Sequence, residues 1–95
     1  MPGNSGRPQQ LATAGRFEIE RDGHTAFLEY MLSGDVLQLI HTEVPNALQG
    51  KGIASELAKS ALEWARQNGK KIDVICEFVA SYVKRHPEYR DLVLA

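Results

Sequence analysis

Near the middle of the chain, Gln49, Gly50, Lys51, Gly52, Ile53, Ala54 and Ser55 (QGKGIAS) lie between a strand-like segment and a helix-like one. A helix start carries four backbone N–H groups without intrahelical partners, together with the positive end of the helix dipole. Glycines at such a start let a phosphate approach the backbone, because no Cβ stands in the way. The segment can therefore cradle a pyrophosphate, with Lys51 adding charge. The plainer alternative is a flexible loop whose glycines only make the turn. The loop is not a P-loop, since no Gly-Lys-Ser/Thr follows at the required spacing, and it lacks the three glycines of a dinucleotide fingerprint.

Two further side chains have types suited to group transfer. Cys76, the single cysteine, falls at a strand end just before a helix, where the dipole favours an anionic nucleophile. Glu77 beside it opposes that charge, and the alternative is a small apolar residue packed with Ile72 and Val74. His41 lies late in a strand, and simple alternation puts it on the face of Leu37 and Leu39. It is a candidate general base, with a hydrogen-bonded structural histidine as the alternative.

The elements that must hold these residues follow from periodicity. Arg16 to Arg21 alternates apolar and charged residues and runs into Asp22-Gly23, a favoured hairpin turn. Thr25 to Leu32 and Val36 to Val44 continue as strands, separated by the turn cluster Ser33-Gly34-Asp35. After Pro45, apolar Ile53, Leu57, Ala61, Trp64 and Ala65 recur at helical spacing to Gln67, and Asn68-Gly69 ends the helix. Lys59 and Glu63 are spaced for an i,i+4 pair. Lys71 to Cys76 alternates again, and Phe78 to Arg85 returns to helical spacing before His86-Pro87. The order β-β-β-α-β-α predicts a mixed α/β (α+β) sheet: an antiparallel meander extended by one parallel strand through a β-α-β crossover.

With 95 residues, 43% hydrophobic and 24% charged, the chain is expected to form one domain over residues 16–95. Residues 1–15, rich in Gly, Pro, Gln and Ser, are expected to be a flexible tail. Eleven basic against twelve acidic side chains leave no positive excess for nucleic acid, and no run is long and apolar enough for a membrane span. One unpaired cysteine fits a cytoplasmic protein.

The segment Gln49, Gly52, Ala54 resembles the acetyl-CoA loop of the GNAT superfamily of N-acetyltransferases: Gln or Arg, two residues, Gly, one residue, Gly or Ala. Its place between a strand and a helix matches as well. His41-Thr42-Glu43-Val44-Pro45, Leu48 to Ser55, Cys76, Phe78-Val79, Tyr82 and His86-Pro87-Glu88-Tyr89 are similar to very short members of that superfamily, the YjdJ-like, N-acetyltransferase-domain-containing family. One departure is Glu77, where the subgroup often has proline.

The resemblance implies a GNAT-like fold with acetyl-CoA or CoA bound by Gln49, Gly50, Lys51, Gly52, Ile53, Ala54 and Ser55. It implies oxyanion donation by backbone N–H groups near Val44, a carboxylate base at Glu43, and Tyr82 as an acid for the departing thiolate. Cys76 would carry the acetyl group covalently, or His41 or Glu43 would serve direct transfer. The expected activity is transfer to an amine, free or on a protein lysine. A non-catalytic acyl-CoA-binding module and a Cys76-dependent thioesterase are the alternatives.

Overall fold

The computed structural model describes residues 12–94. Strands β1 (Thr13–Arg21), β2 (His24–Ser33) and β3 (Val36–Glu43) form an antiparallel meander. Helix α1 (Ile53–Gln67) leads to β4 (Lys71–Val74), which pairs parallel to β3, giving one sheet in the order β1-β2-β3-β4. Helix α2 (Glu77–Arg85) follows, and a 3₁₀ segment over Pro87–Leu92 brings Val93 beside Ile72 at the β4 edge. This is the expected mixed α/β architecture. Strand β1 begins three residues before the predicted domain start, so Thr13, Ala14 and Gly15 belong to the sheet; the earlier part of the predicted tail lies outside the described residues.

Local chemistry sets the turns. Asp22 and Gly23 both have positive φ, 54° and 79°, which matches the right-handed twist of the strands they join. At the end of α1, Gly69 (φ 67°) reverses the chain so that Lys70 N–H bonds the Ala65 carbonyl at 2.9 Å. Among the described residues, no helix is long and apolar enough to cross a membrane.

One face of the sheet packs against the helices. Ala26 and Leu28 of β2, Leu37 and Leu39 of β3 and Ile72 of β4 are fully buried against Leu57, Ala61, Leu62 and Ala65 of α1 and Val79 of α2. Trp64, on the apolar stripe of α1, is half-buried, packs against this core and lies edge-on to Phe17 with ring centroids 6.3 Å apart. Glu63 takes the Tyr89 hydroxyl as donor at 2.6 Å, which ties the C-terminal segment to α1. Arg66 reinforces this by donating to Asp91 and to the Glu88 carbonyl.

A bulge interrupts β3. Glu29 pairs with His41, but the next residue of β2, Tyr30, pairs with Leu39, leaving Ile40 as an extra residue. Beyond this point Thr42, opposite Leu28, occupies the helix-covered face, while His41 and Glu43 oppose Glu29 and Phe27 on the other. The expectation that His41 shares a face with Leu37 and Leu39 is thus corrected. One inserted residue reverses the alternation for the rest of the strand.

Candidate functional site

The bulge coincides with the place where β3 and β4 part. Their parallel pairing runs from Val36–Lys71 to Leu39–Val74, and the Leu39 carbonyl then accepts from both Ile75 and Cys76 N–H at 2.9 and 2.8 Å. Past this shared acceptor, the chain turns into α2 and the second half of β3 runs on without a parallel neighbour. An open cleft of about 600 Å³ lies there. One wall is His41, Thr42, Glu43 and Val44; the other side is Leu48, Gln49, Gly50, Gly52, Ile53, Ala54 and Ser55, with Phe78 from α2.

The helix end of the cleft is short of hydrogen-bond partners. Gly52 is the N-cap of α1 in a left-handed conformation (φ 76°, ψ 15°) and supplies no side-chain cap. The first amide bonded back to this turn is that of Glu56, at 3.1 Å from the Gly52 carbonyl. Among the described residues, no amide from Gly50 to Ser55 donates to a backbone carbonyl or a side chain. Gly50 (φ 81°) and Gly52 alternate left-handed geometry with Lys51 between them, the arrangement that gathers successive N–H groups into an anion-binding concavity. A Cβ at either glycine would meet no heavy atom within 4 Å, so the space above the loop is open. Loop, dipole and free donors together suit a phosphate or pyrophosphate.

The side chains of the loop divide their work. Gln49 donates from Nε2 to the Val44 carbonyl at 3.1 Å, bracing the loop against the end of β3. Its own amide is used by the Asn46 carbonyl at 3.2 Å. Lys51, expected to add charge at the cofactor, is turned instead toward Asp22 in the β1–β2 turn, Nζ to Oδ2 3.6 Å, and does not line the cleft. Both partners are more than half exposed, so the pair is weak.

At the β3 wall, His41 Nε2 and Glu43 Oε1 are 2.6 Å apart, each side chain more than half exposed. Two residues apart on one strand, they project to the same side. A carboxylate hydrogen-bonded to one ring nitrogen fixes the orientation of an imidazole, the relation expected of a base and its orienter. Strand periodicity puts His41 and Glu43 on one face by their i,i+2 spacing alone; the bulge at Ile40 decides that this is the open face and not that of Leu37 and Leu39.

Cys76 is placed elsewhere. It is the N-cap of α2, 8% exposed, and its Sγ lies 3.3 Å from Thr42 Oγ1 on the helix-covered side of the sheet. It does not line the cleft, although Thr42 and Phe78 do. Tyr82 is buried within α2 and stacks on His86 with ring centroids 4.1 Å apart; burial raises its phenol above the ordinary value. It too is absent from the cleft lining. Thr42 was named only within a resembling block; its place between the cleft and Cys76 comes from the same bulge.

Known proteins resemble this chain in sequence and in fold. A family model described as GCN5-related N-acetyl-transferase matches residues 16–92. Protein NATD1 of Mus musculus is 31% identical over 94 residues, covering 84% of this chain and 86% of its own. Protein NATD1 of Danio rerio is 37% identical over 84 residues, covering 83% and 76%. Among solved structures, a protein from Agrobacterium tumefaciens named as an acetyltransferase superposes with a TM-score of 0.55 at 24% identity. That match covers 84% of this chain, which spans 60% of the solved chain's length, and it speaks for the fold alone.

Proposed function

Because the chain belongs to the GCN5-related N-acetyl-transferase family, we propose that it binds acetyl-CoA along the Gly50–Ser55 loop and transfers the acetyl group to an amine. The observation that carries this reading is the run of unpartnered amides from Gly50 to Ser55, set at one end of a cleft whose other wall holds His41 and Glu43. Amides of Gly50, Gly52, Ile53, Ala54 and Ser55 would receive the pyrophosphate oxygens. The gap between the second half of β3 and the start of α2 admits a narrow acyl-bearing arm toward His41 and Glu43.

Acetyl-CoA, when bound, supplies a thioester whose acyl carbon the amine attacks, so that one N–C bond forms and one C–S bond breaks. Around that exchange His41, oriented by Glu43, takes the proton the amine must lose. The backbone at Val44 provides a donor beside the acyl oxygen. Direct transfer is favoured over a covalent route through Cys76, whose sulfur is buried behind the cleft wall and engaged with Thr42. The proton for the departing sulfur comes from solvent through the open cleft, since Tyr82 is buried away from it.

Two measurements test this. CoA and acetyl-CoA should raise the melting temperature, and incubation of acetyl-CoA with a panel of primary amines should release CoA with an equal amount of acetylated amine. Release of acetate in place of acetylated amine would mean a thioesterase. Binding without turnover would mean an acyl-CoA-binding module. No thermal shift at millimolar ligand would refute the cofactor assignment.

A further inference from the structure

The sheet is covered by helices on one face only. Among the described residues, the open face carries the carboxylates of Glu18, Glu20, Glu29, Glu43 and Asp73 against Arg16 and, at the β4 edge, Lys71, whose ammonium donates to the Asp91 carbonyl. The chain as a whole is nearly neutral, with eleven basic and twelve acidic side chains, so this bias is local. At the level of the bulge the open face dips into a groove of about 370 Å³, lined by Arg16, Glu29, Met31 and Ile40, with Ala14, Gly15 and Tyr30. That volume suits a small molecule.

Glu29 is central to the groove. It lies directly opposite Arg16 on β1 and directly opposite His41 on β3. Arg16 does not neutralise it: the guanidinium sits 4.1 Å over the Phe27 ring and 3.6 Å from Glu18. Glu29 is half-buried, and among the described residues its carboxylate has neither an ion pair nor a hydrogen bond. A carboxylate in this setting favours a cation, and the apolar Met31 and Ile40 beside it suit methylene groups. Neighbouring strands are about 4.8 Å apart, so a cation on Glu29 is roughly one strand from His41.

Resting on the acetyl-transfer reading, we infer that this groove is the acceptor subsite and that the acceptor is an aliphatic diamine or polyamine. Its distal ammonium binds Glu29 at the end of the groove walled by Met31 and Ile40, and its methylenes cross the one strand spacing that brings the reacting nitrogen to His41 and Glu43. A second copy of this chain is a poor occupant, because two such faces would bring like charges together. A folded protein would need roughly 800 Å² of matching surface, far more than the groove offers.

The test is a titration of the full ¹⁵N-labelled chain with 1,4-diaminobutane and with 1-aminobutane, followed by amide chemical shifts. The diamine should move the Glu29, Met31 and Ile40 amides and bind at least about tenfold more tightly than the monoamine. Glu29→Gln should weaken the diamine more than the monoamine and so remove that preference, with the fold unchanged by the amide spectrum of the free chain. Equal binding of the two amines, shifts confined to other amides, an unaffected Glu29→Gln, or stronger shifts at the same amides from a lysine-containing peptide would each overturn the inference. Acetyl-CoA added to the same sample should move the Gly50–Ser55 amides; its failure to do so would overturn the acetyl-transfer reading, which separates the two failures.

Discussion

Gly52→Ala tests the proposed cofactor loop most directly, because two effects of the methyl group can be measured apart. At φ 76° an L side chain is strained, at about 1–2 kcal/mol for left-handed backbone. Loss of glycine's freedom in the unfolded chain returns about 0.4–1 kcal/mol. The methyl would meet no heavy atom within 4 Å, so no clash adds to this. The net loss is then about 1 kcal/mol, a fall in Tm of roughly 4–8 °C for a domain of this size. Gly34→Ala is the control: its φ of 60° lies in the β2–β3 turn, its methyl also enters open space, and it is remote from the cleft. Both variants should lose similar stability in differential scanning calorimetry. Acetyl-CoA at a hundred times its dissociation constant adds about 2.7 kcal/mol, or roughly 11–22 °C, in the wild type and in Gly34→Ala. In Gly52→Ala that gain should largely vanish, because the methyl stands where a phosphate must approach the amides. A full ligand-induced shift in Gly52→Ala would refute the reasoning. Valine, bulkier and β-branched, is a poorer probe here, since the left-handed backbone would put the fold itself at risk.

In acetyl transfer to amines, His41→Gln and Glu43→Gln should each lower kcat by about a hundredfold or more with CoA affinity retained, whereas Cys76→Ser should keep most activity; loss of turnover in Cys76→Ser alone, with a thioester adduct on the wild type by intact mass, would reinstate the covalent route. Tyr89→Phe should cost about 1.5 kcal/mol in urea unfolding, since the phenol donates to a carboxylate. The Tyr89 phenol is pushed up to about 12, first by its bond to Glu63 and then by burial. Its protonated form is the one the fold favours, so its contribution is complete below about pH 10 and lost as pH rises through about 12. The difference between wild type and Tyr89→Phe should therefore shrink over that window, and a difference constant in pH would count against the bond.

Much of the fold is legible in the sequence because short-range chemistry sets it. Asp22-Gly23 can take the positive φ a tight hairpin needs, and Asn68-Gly69 ends α1 where the apolar periodicity stops. The bounds of α1, Ile53–Gln67, follow from that periodicity alone. The glycine loop before α1 is legible for the same reason: glycine is the residue that adopts φ near 80° without strain, and Gly50 and Gly52 both do. Side-chain partners distant in sequence are not legible: Lys51 stands 3.6 Å from Asp22 of the β1–β2 turn, and Glu63, spaced for Lys59, receives Tyr89, 26 residues away.

The sequence by itself thus determined the order of elements, their turns and the set of chemically able residues. Which of those residues meet was decided by the tertiary structure, through the single extra residue at Ile40. Strand alternation has a period of two, so a bulge inverts every side chain beyond it, and no local pattern in VLQLIHTEV marks where β2 forces the insertion. That inversion sends Thr42 inward to Cys76 and places His41 and Glu43 together on the open face. It occurs where β4 leaves β3, so the same defect in pairing that redirects the side chains also accompanies the opening of the cleft they line.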